Sequence, residues 1–117
     1  MSTPQQKGRD AENALCRRWS VLPDDHVPRL QPGSGAMDSA KGDLKSDAAL
    51  IENKHTERAS YSLKLGTLRK IEKEAAEIGR KPIMALQYED GGEYVILRER
   101  DYLELLDDLH QLRQPDY

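Results

Sequence analysis

The apolar run Ala48-Ala49-Leu50-Ile51 reads as a buried strand, and it ends on the charged triplet Glu52-Asn53-Lys54. Side chains alternate faces along a strand, so Glu52 and Lys54 must point the same way. They close an apolar face that Ala48 and Leu50 begin. Upstream, Gly42-Asp43-Leu44-Lys45 reads as the hairpin partner of this strand, with the turn at Ser46-Asp47. The hairpin puts an acid, Asp43, on the strand next to Glu52. The bland alternative is a surface strand carrying an exposed Glu-Lys pair. Asp47 is a rival for the first acid but sits where the hairpin turns. Asp43-Leu44-Lys45 also satisfies a looser acid-x-Lys pattern, with Asp38 upstream in a loop.

The rest of the chain supplies the layers around that hairpin. Residues 5–19 are amphipathic, with Ala11, Ala14, Leu15 and Trp19 at helical spacing. The polar start, Met1 to Lys7, reads as frayed. Val27 to Leu30 is a short strand weakened by Pro28, and Pro32 to Lys41 is a loop. A second helix, capped by Ser60 or Ser62, carries Leu65, Leu68, Ile71, Ala75 and Ile78 and stops at Gly79. Ile83 to Tyr88 is an apolar central strand. Asp90-Gly91-Gly92 turns it into Tyr94 to Leu97. Asp101 with Glu104 resembles a capping box and opens a last helix along Tyr102, Leu105, Leu106, Leu109 and Leu112. The order α-β-β-β-α-β-β-α implies an α/β fold, a mixed sheet flanked by helices.

At 117 residues this is one domain with a modest core. No apolar run reaches the length of a membrane span, and no secretory signal is visible. Cys16 is the only cysteine, which excludes an intrachain disulfide or a cysteine metal site and fits a reducing compartment. The expected location is the cytoplasm. The net charge of −3 argues against simple polyanion binding. However, six acids and only two bases fall between Glu99 and Tyr117, leaving the preceding residues close to neutral. Acids gathered around divalent ions would make the phosphate-facing surface positive once metal is bound.

Two carboxylates on adjacent strands beside an ammonium describe a divalent-metal site suited to phosphodiester hydrolysis. Asp43 and Glu52 are the expected Mg²⁺ ligands, with the carbonyl of Asn53 as a further oxygen donor. Lys54 would orient the attacking water or offset charge in the transition state. Glu12, flanking the apolar stripe of the first helix, can add a carboxylate to the same site. Arg9, Arg29, Lys41 and Lys45 are candidate phosphate contacts. His26, His55 and His110 show no metal-ligand spacing. The charges of the second helix read as ordinary surface pairs.

These residues resemble the PD-(D/E)XK nuclease superfamily and, within it, the Holliday junction resolvases of archaea and bacteriophages. Lys7-Gly8-Arg9-Asp10-Ala11-Glu12 is similar to the Lys-Gly-x-x-x-Glu opening of the archaeal type. Arg29 followed by Gly33-Ser34-Gly35-Ala36 is similar to its basic residue and serine-glycine loop. Gly42-Asp43 with Glu52-Asn53-Lys54 matches the superfamily motif, with Gly42 in place of the proline. The resemblance spans about residues 5–98 and sets residues 99–117 apart as a C-terminal helical extension. It implies a restriction-endonuclease-like αβββαβ core, Mg²⁺ or Mn²⁺, and a homodimer making paired nicks across four-way DNA junctions. It assigns metal and catalytic roles to Asp43, Glu52 and Lys54, a further ligand role to Glu12, and a substrate or water contact to Ser34. The runner-up activity is cleavage of flaps, single strands or other branched DNA. A non-catalytic module binding DNA or a partner on the same fold is the alternative of another class.

Overall fold

A computed structural model describes residues 3–30 and 43–114 of the chain. Helix α1 (Pro4–Trp19) begins where Thr3 caps it, its hydroxyl accepting from the amide of Gln6 at 3.1 Å, with Pro4 in the first turn. The expected fraying up to Lys7 is therefore corrected. Lys7 lies inside the helix and is paired with Glu57 and Glu89. A 3₁₀ turn (Asp24–His26) leads to β1 (Arg29–Leu30), shorter than the strand expected from Val27. Strands β2 (Asp43–Lys45) and β3 (Ala49–Thr56) form the hairpin. Helix α2 (Leu65–Glu77), β4 (Lys81–Tyr88), β5 (Gly92–Ile96) and helix α3 (Glu99–Arg113) complete the chain.

The strands make one mixed sheet in the order β1-β2-β3-β4-β5. Every neighbouring pair is antiparallel except β3 and β4, which run parallel with α2 as their crossover. The fold is thus α/β, with the expected element order. Among the described residues no helix is long and apolar enough to cross a membrane.

Strand parity divides the molecule. Leu44, Ala49 and Ile51 meet Leu15 of α1 in the main core, with Ala85 from β4 and with Cys16 and Trp19 packed against it. On the opposite face, Pro82, Met84 and Ile96 lie beneath Leu68 and Ile71 of α2. Ile71 and Ala75 are the buried residues of that helix, while Leu65 and Ile78 of the expected stripe are exposed. The α1 layer is locked by polar contacts as well. Gln87 Nε2 donates to the carbonyl of Ala11 at 3.2 Å and to Asn53 Oδ1 at 2.6 Å, and Arg18 donates to Gln87 Oε1 at 3.2 Å. Burial, and Glu12 one turn away, push the Cys16 thiol up, which makes it a packing residue rather than a nucleophile.

The turns have local causes. The Ser46 hydroxyl accepts from the amides of Ala48 at 3.3 Å and Ala49 at 3.0 Å, and the Ser46 amide donates to the Ala49 carbonyl at 2.9 Å. That closes the hairpin around Asp47. Helix α2 ends in a Schellman motif, with Arg80 N–H bonded to the Ala75 carbonyl at 2.9 Å and Gly79 N–H to that of Ala76 at 3.2 Å. Gly79 takes φ +66°, which a side chain would strain. Arg80 then reaches back, Nε donating to the Ser46 carbonyl at 2.8 Å.

Both helix caps read from the sequence are corrected. Helix α2 starts after Lys64, with no side-chain cap, so neither Ser60 nor Ser62 has that role. Helix α3 starts after Arg98, and Asp101 lies within its first turn. Asp101 is buried and makes a different contact, accepting from Arg98 Nε at 2.7 Å and Nη2 at 3.2 Å with Lys81 Nζ at 3.5 Å. Arg98 also faces Glu72 of α2 at 3.6 Å, so this cluster ties α2, β4 and α3 together.

Replacing Ser46→Ala should cost about 1–2 kcal/mol by leaving hairpin amides without their acceptor, read as a lower urea midpoint at unchanged m-value. A second expectation concerns pH. Burial alone would raise the Asp101 carboxyl, but Arg98 and Lys81 outweigh it and hold it below the usual range. A depressed folded-state value contributes stability above the unfolded pKa, near 4, and that contribution is lost as pH falls through the folded value. Wild type and Asp101→Asn should therefore differ by about 1–2 kcal/mol at neutral pH and converge in acid, measured by denaturation at a series of pH values.

Candidate active site

Glu52 and Lys54 sit in the second half of β3, where the strand has turned from apolar to charged. Their side chains meet on one face, Lys54 Nζ forming an ion pair with Glu52 Oε1 at 3.2 Å. The Glu52 side chain is only 14% exposed and that of Lys54 35%. This is no exposed surface pair. A carboxylate so far withdrawn from water requires a cation, and the lysine two residues on supplies one.

The hairpin register sets Asp43 directly opposite Glu52, Leu44 opposite Ile51 and Lys45 opposite Leu50. The first acid is thereby delivered by β2 to the position across from the second. Asp47, its rival, lies in the turn and is exposed. One rung further, β1 pairs with β2 so that Arg29 stands opposite Lys45. Among the described residues neither cation forms an ion pair. Like charges directly opposite each other are unfavourable in a sheet, and an anion laid across them would relieve that cost.

Glu12 comes from the other layer. Helix α1 covers the Ile51 face, opposite Glu52 and Lys54. Within α1, Ala14 and Arg18 border β4, next to Gln87 and Tyr88. Glu12 lies on the other flank, toward β2, and is half-buried. The Gln87 bridge between Ala11 and Asn53 sets this part of α1 level with Asn53. Glu12 thus stands near the level of Asn53 but on the face of the sheet opposite Glu52.

The remaining candidates separate clearly. Ser34 and Lys41 lie outside the described residues. Arg9 is exposed on α1. The Asn53 side chain is buried and occupied by Gln87 on the α1 face, so only its main-chain carbonyl is left as a candidate oxygen donor. Lys7, at the head of the Lys-Gly-x-x-x-Glu stretch, is engaged by Glu57 and Glu89, and the hydrogen bond it donates to Glu57 holds its ammonium above the usual lysine range. Arg69–Glu72 and Lys70–Glu74 form the surface pairs expected on α2. Two residues that shape the site had no visible signal in the sequence, Arg80 as the clasp on the hairpin and Gln87 as the bridge beneath Asn53.

As chemistry, the donor set is one of hard oxygens with an ammonium beside it, which suits Mg²⁺ better than a soft metal. Among the described residues no group of three or more His, Cys, Asp or Glu side chains is gathered to hold a metal. The residues that fit are Asp43 and Glu52, with the carbonyl of Asn53 and with Glu12 from α1. No family model, curated protein or solved structure matches this chain.

Mg²⁺ at about ten times its Kd should raise folding stability by about 1.4 kcal/mol, seen as a higher melting temperature, and Glu52→Gln should abolish that shift without lowering the metal-free stability appreciably. A metal-induced shift of equal size in the variant would remove Glu52 from the site.

Proposed function

We propose that this protein is a metal-dependent, structure-selective DNA endonuclease of the cytoplasm. It resolves four-way junctions by paired phosphodiester hydrolysis as a homodimer, with Mg²⁺, or Mn²⁺ in its place. The observation that carries this reading is the register of Asp43 against Glu52, with Lys54 at 3.2 Å from the Glu52 carboxylate on one sheet face.

Asp43, Glu52, the Asn53 carbonyl and Glu12 would hold the metal, which when bound supplies an acidified water and neutralises the scissile phosphate. Lys54, beside the Glu52 carboxylate, places an N–H donor where negative charge grows on the phosphate in the transition state. Arg29 and Lys45 grip the backbone phosphate next to the scissile one and fix its distance from Glu52. Arg9 and Lys41 extend this phosphate track, and Ser34 contacts the substrate or a metal-bound water. Homodimerisation has a physical reason, since a four-way junction offers two equivalent strands and a two-fold dimer presents two equivalent sites.

The test is incubation of the protein and Mg²⁺ with a synthetic four-way junction, a flap, a single strand and plain duplex. Symmetric nicks in the junction are expected. Glu52→Gln and Lys54→Met should each lower the rate by about 100-fold or more. Arg29→Ala and Lys45→Ala should weaken junction binding and each flatten the dependence of log K on log salt by about one. Preferential cutting of flaps or single strands would replace the junction by other branched DNA. Absence of cutting with either metal would leave a DNA- or partner-binding module.

A further inference from the structure

Helix α3 carries more apolar surface than the rest of the molecule covers. Asp101 is its only buried residue. Tyr102, Leu105, Leu109 and Leu112 are 50%, 57%, 42% and 84% exposed, and Leu106 beside them is 43% exposed. Steps of three, four and three residues separate the first four, which is the a/d spacing of two heptads. A seam of that spacing is complementary to a second helix. The helix is held only at its start, where Asp101 meets Arg98 and Lys81, and Glu104 meets Lys81 at 2.9 Å. Beyond that anchor the seam stands free among the described residues, and Leu105 continues it into an apolar groove of about 410 Å³ lined by Trp19, Leu22, Pro82 and Leu97.

We propose that α3 is the docking surface for a second copy of this chain, the two helices packing antiparallel through Tyr102, Leu105, Leu109 and Leu112. The seam is complementary to its own copy, and the charges at the helix ends favour the antiparallel direction. The first turn of α3 contains Glu99 and Asp101, and its last turn His110 and Arg113. An antiparallel copy brings the acidic start of each helix beside the basic end of the other and opposes the two helix dipoles favourably. The antiparallel seam is also self-complementary about a two-fold axis, Leu105 of each copy meeting Leu109 of the other, so the assembly closes at two.

The inference supplies a surface for the homodimer of the nuclease reading but stands on α3 alone. Its test needs neither DNA nor metal, so its failure is separate from a failure of that reading. Sedimentation equilibrium of the full chain at tens of micromolar should give a dimer. The double change Leu105→Glu and Leu109→Glu, at two exposed positions, should weaken the dimer by about 100-fold or more with an unchanged far-ultraviolet circular dichroism spectrum. In a Cys16→Ser background, an oxidised mixture of L105C and L109C chains should form a mixed disulfide faster than either chain alone. A wild-type monomer, or a dimer that survives the double change, would overturn the proposal. So would disulfide formation fastest within the L105C chain alone, which reports a parallel pairing.

Discussion

The register of the β2–β3 hairpin governs everything proposed for this chain. Because strand side chains repeat every two residues, a slip of one would exchange the faces of β2 relative to β3. Leu44 would leave the core beside Ile51, and Asp43 would no longer stand opposite Glu52. Three contacts hold the register against that slip. The Ser46 hydroxyl gathers the amides of Ala48 and Ala49, the Ser46 amide closes on Ala49, and Arg80 clasps the Ser46 carbonyl from the end of α2. The same arginine closes the Schellman motif through its own amide. The end of the crossover helix and the turn of the hairpin are therefore set by one residue, and the placement of Asp43 against Glu52 follows from both.

Electrostatics are organised along the strands. The acids of α3 are anchored through Lys81 at the start of β4, whereas Glu52 and Lys54 lie toward the end of β3. A net charge of −3 is thus compatible with a local cationic row at Arg29 and Lys45, one rung from Asp43 and Glu52. Two lysines elsewhere are already neutralised. Lys7 serves Glu57 and Glu89, and Lys81 serves Asp101 and Glu104. Net charge sets the long-range field, but a phosphate at contact distance responds to the charges within a Debye length of it.

What was legible in the sequence was what depends on strand parity and turn chemistry. Ala48 to Lys54 revealed its strand, its faces and its turn because each residue there obeys one local rule. The shared face of Glu52 and Lys54 followed directly, as did the stop at Gly79. Features decided by distant partners were not legible. Asp101 three residues before Glu104 looks like a cap, but Arg98 and Lys81 compete for the same carboxylate and win with two charged donors. Ser60 and Ser62 precede an apolar stripe, yet the helix begins only at Leu65. The leucines of α3 carry the pattern of a buried face, and only the fold shows that its other elements do not cover them.

Glu12 sits on a helix packed against the face of the sheet opposite Glu52 and Lys54. Asn53 alternates with Glu52 and Lys54, so it must point toward α1, where Gln87 holds it and holds the Ala11 carbonyl with the same amide. That shared donor fixes the height of α1 along β3. Glu12 follows Ala11 by one residue, so the height of Glu12 is fixed too. The parity that makes Glu52 and Lys54 a pair therefore makes Asn53 the residue that aligns α1 with them. Its side chain belongs to that alignment, and whatever it gives a metal must come from its main-chain carbonyl.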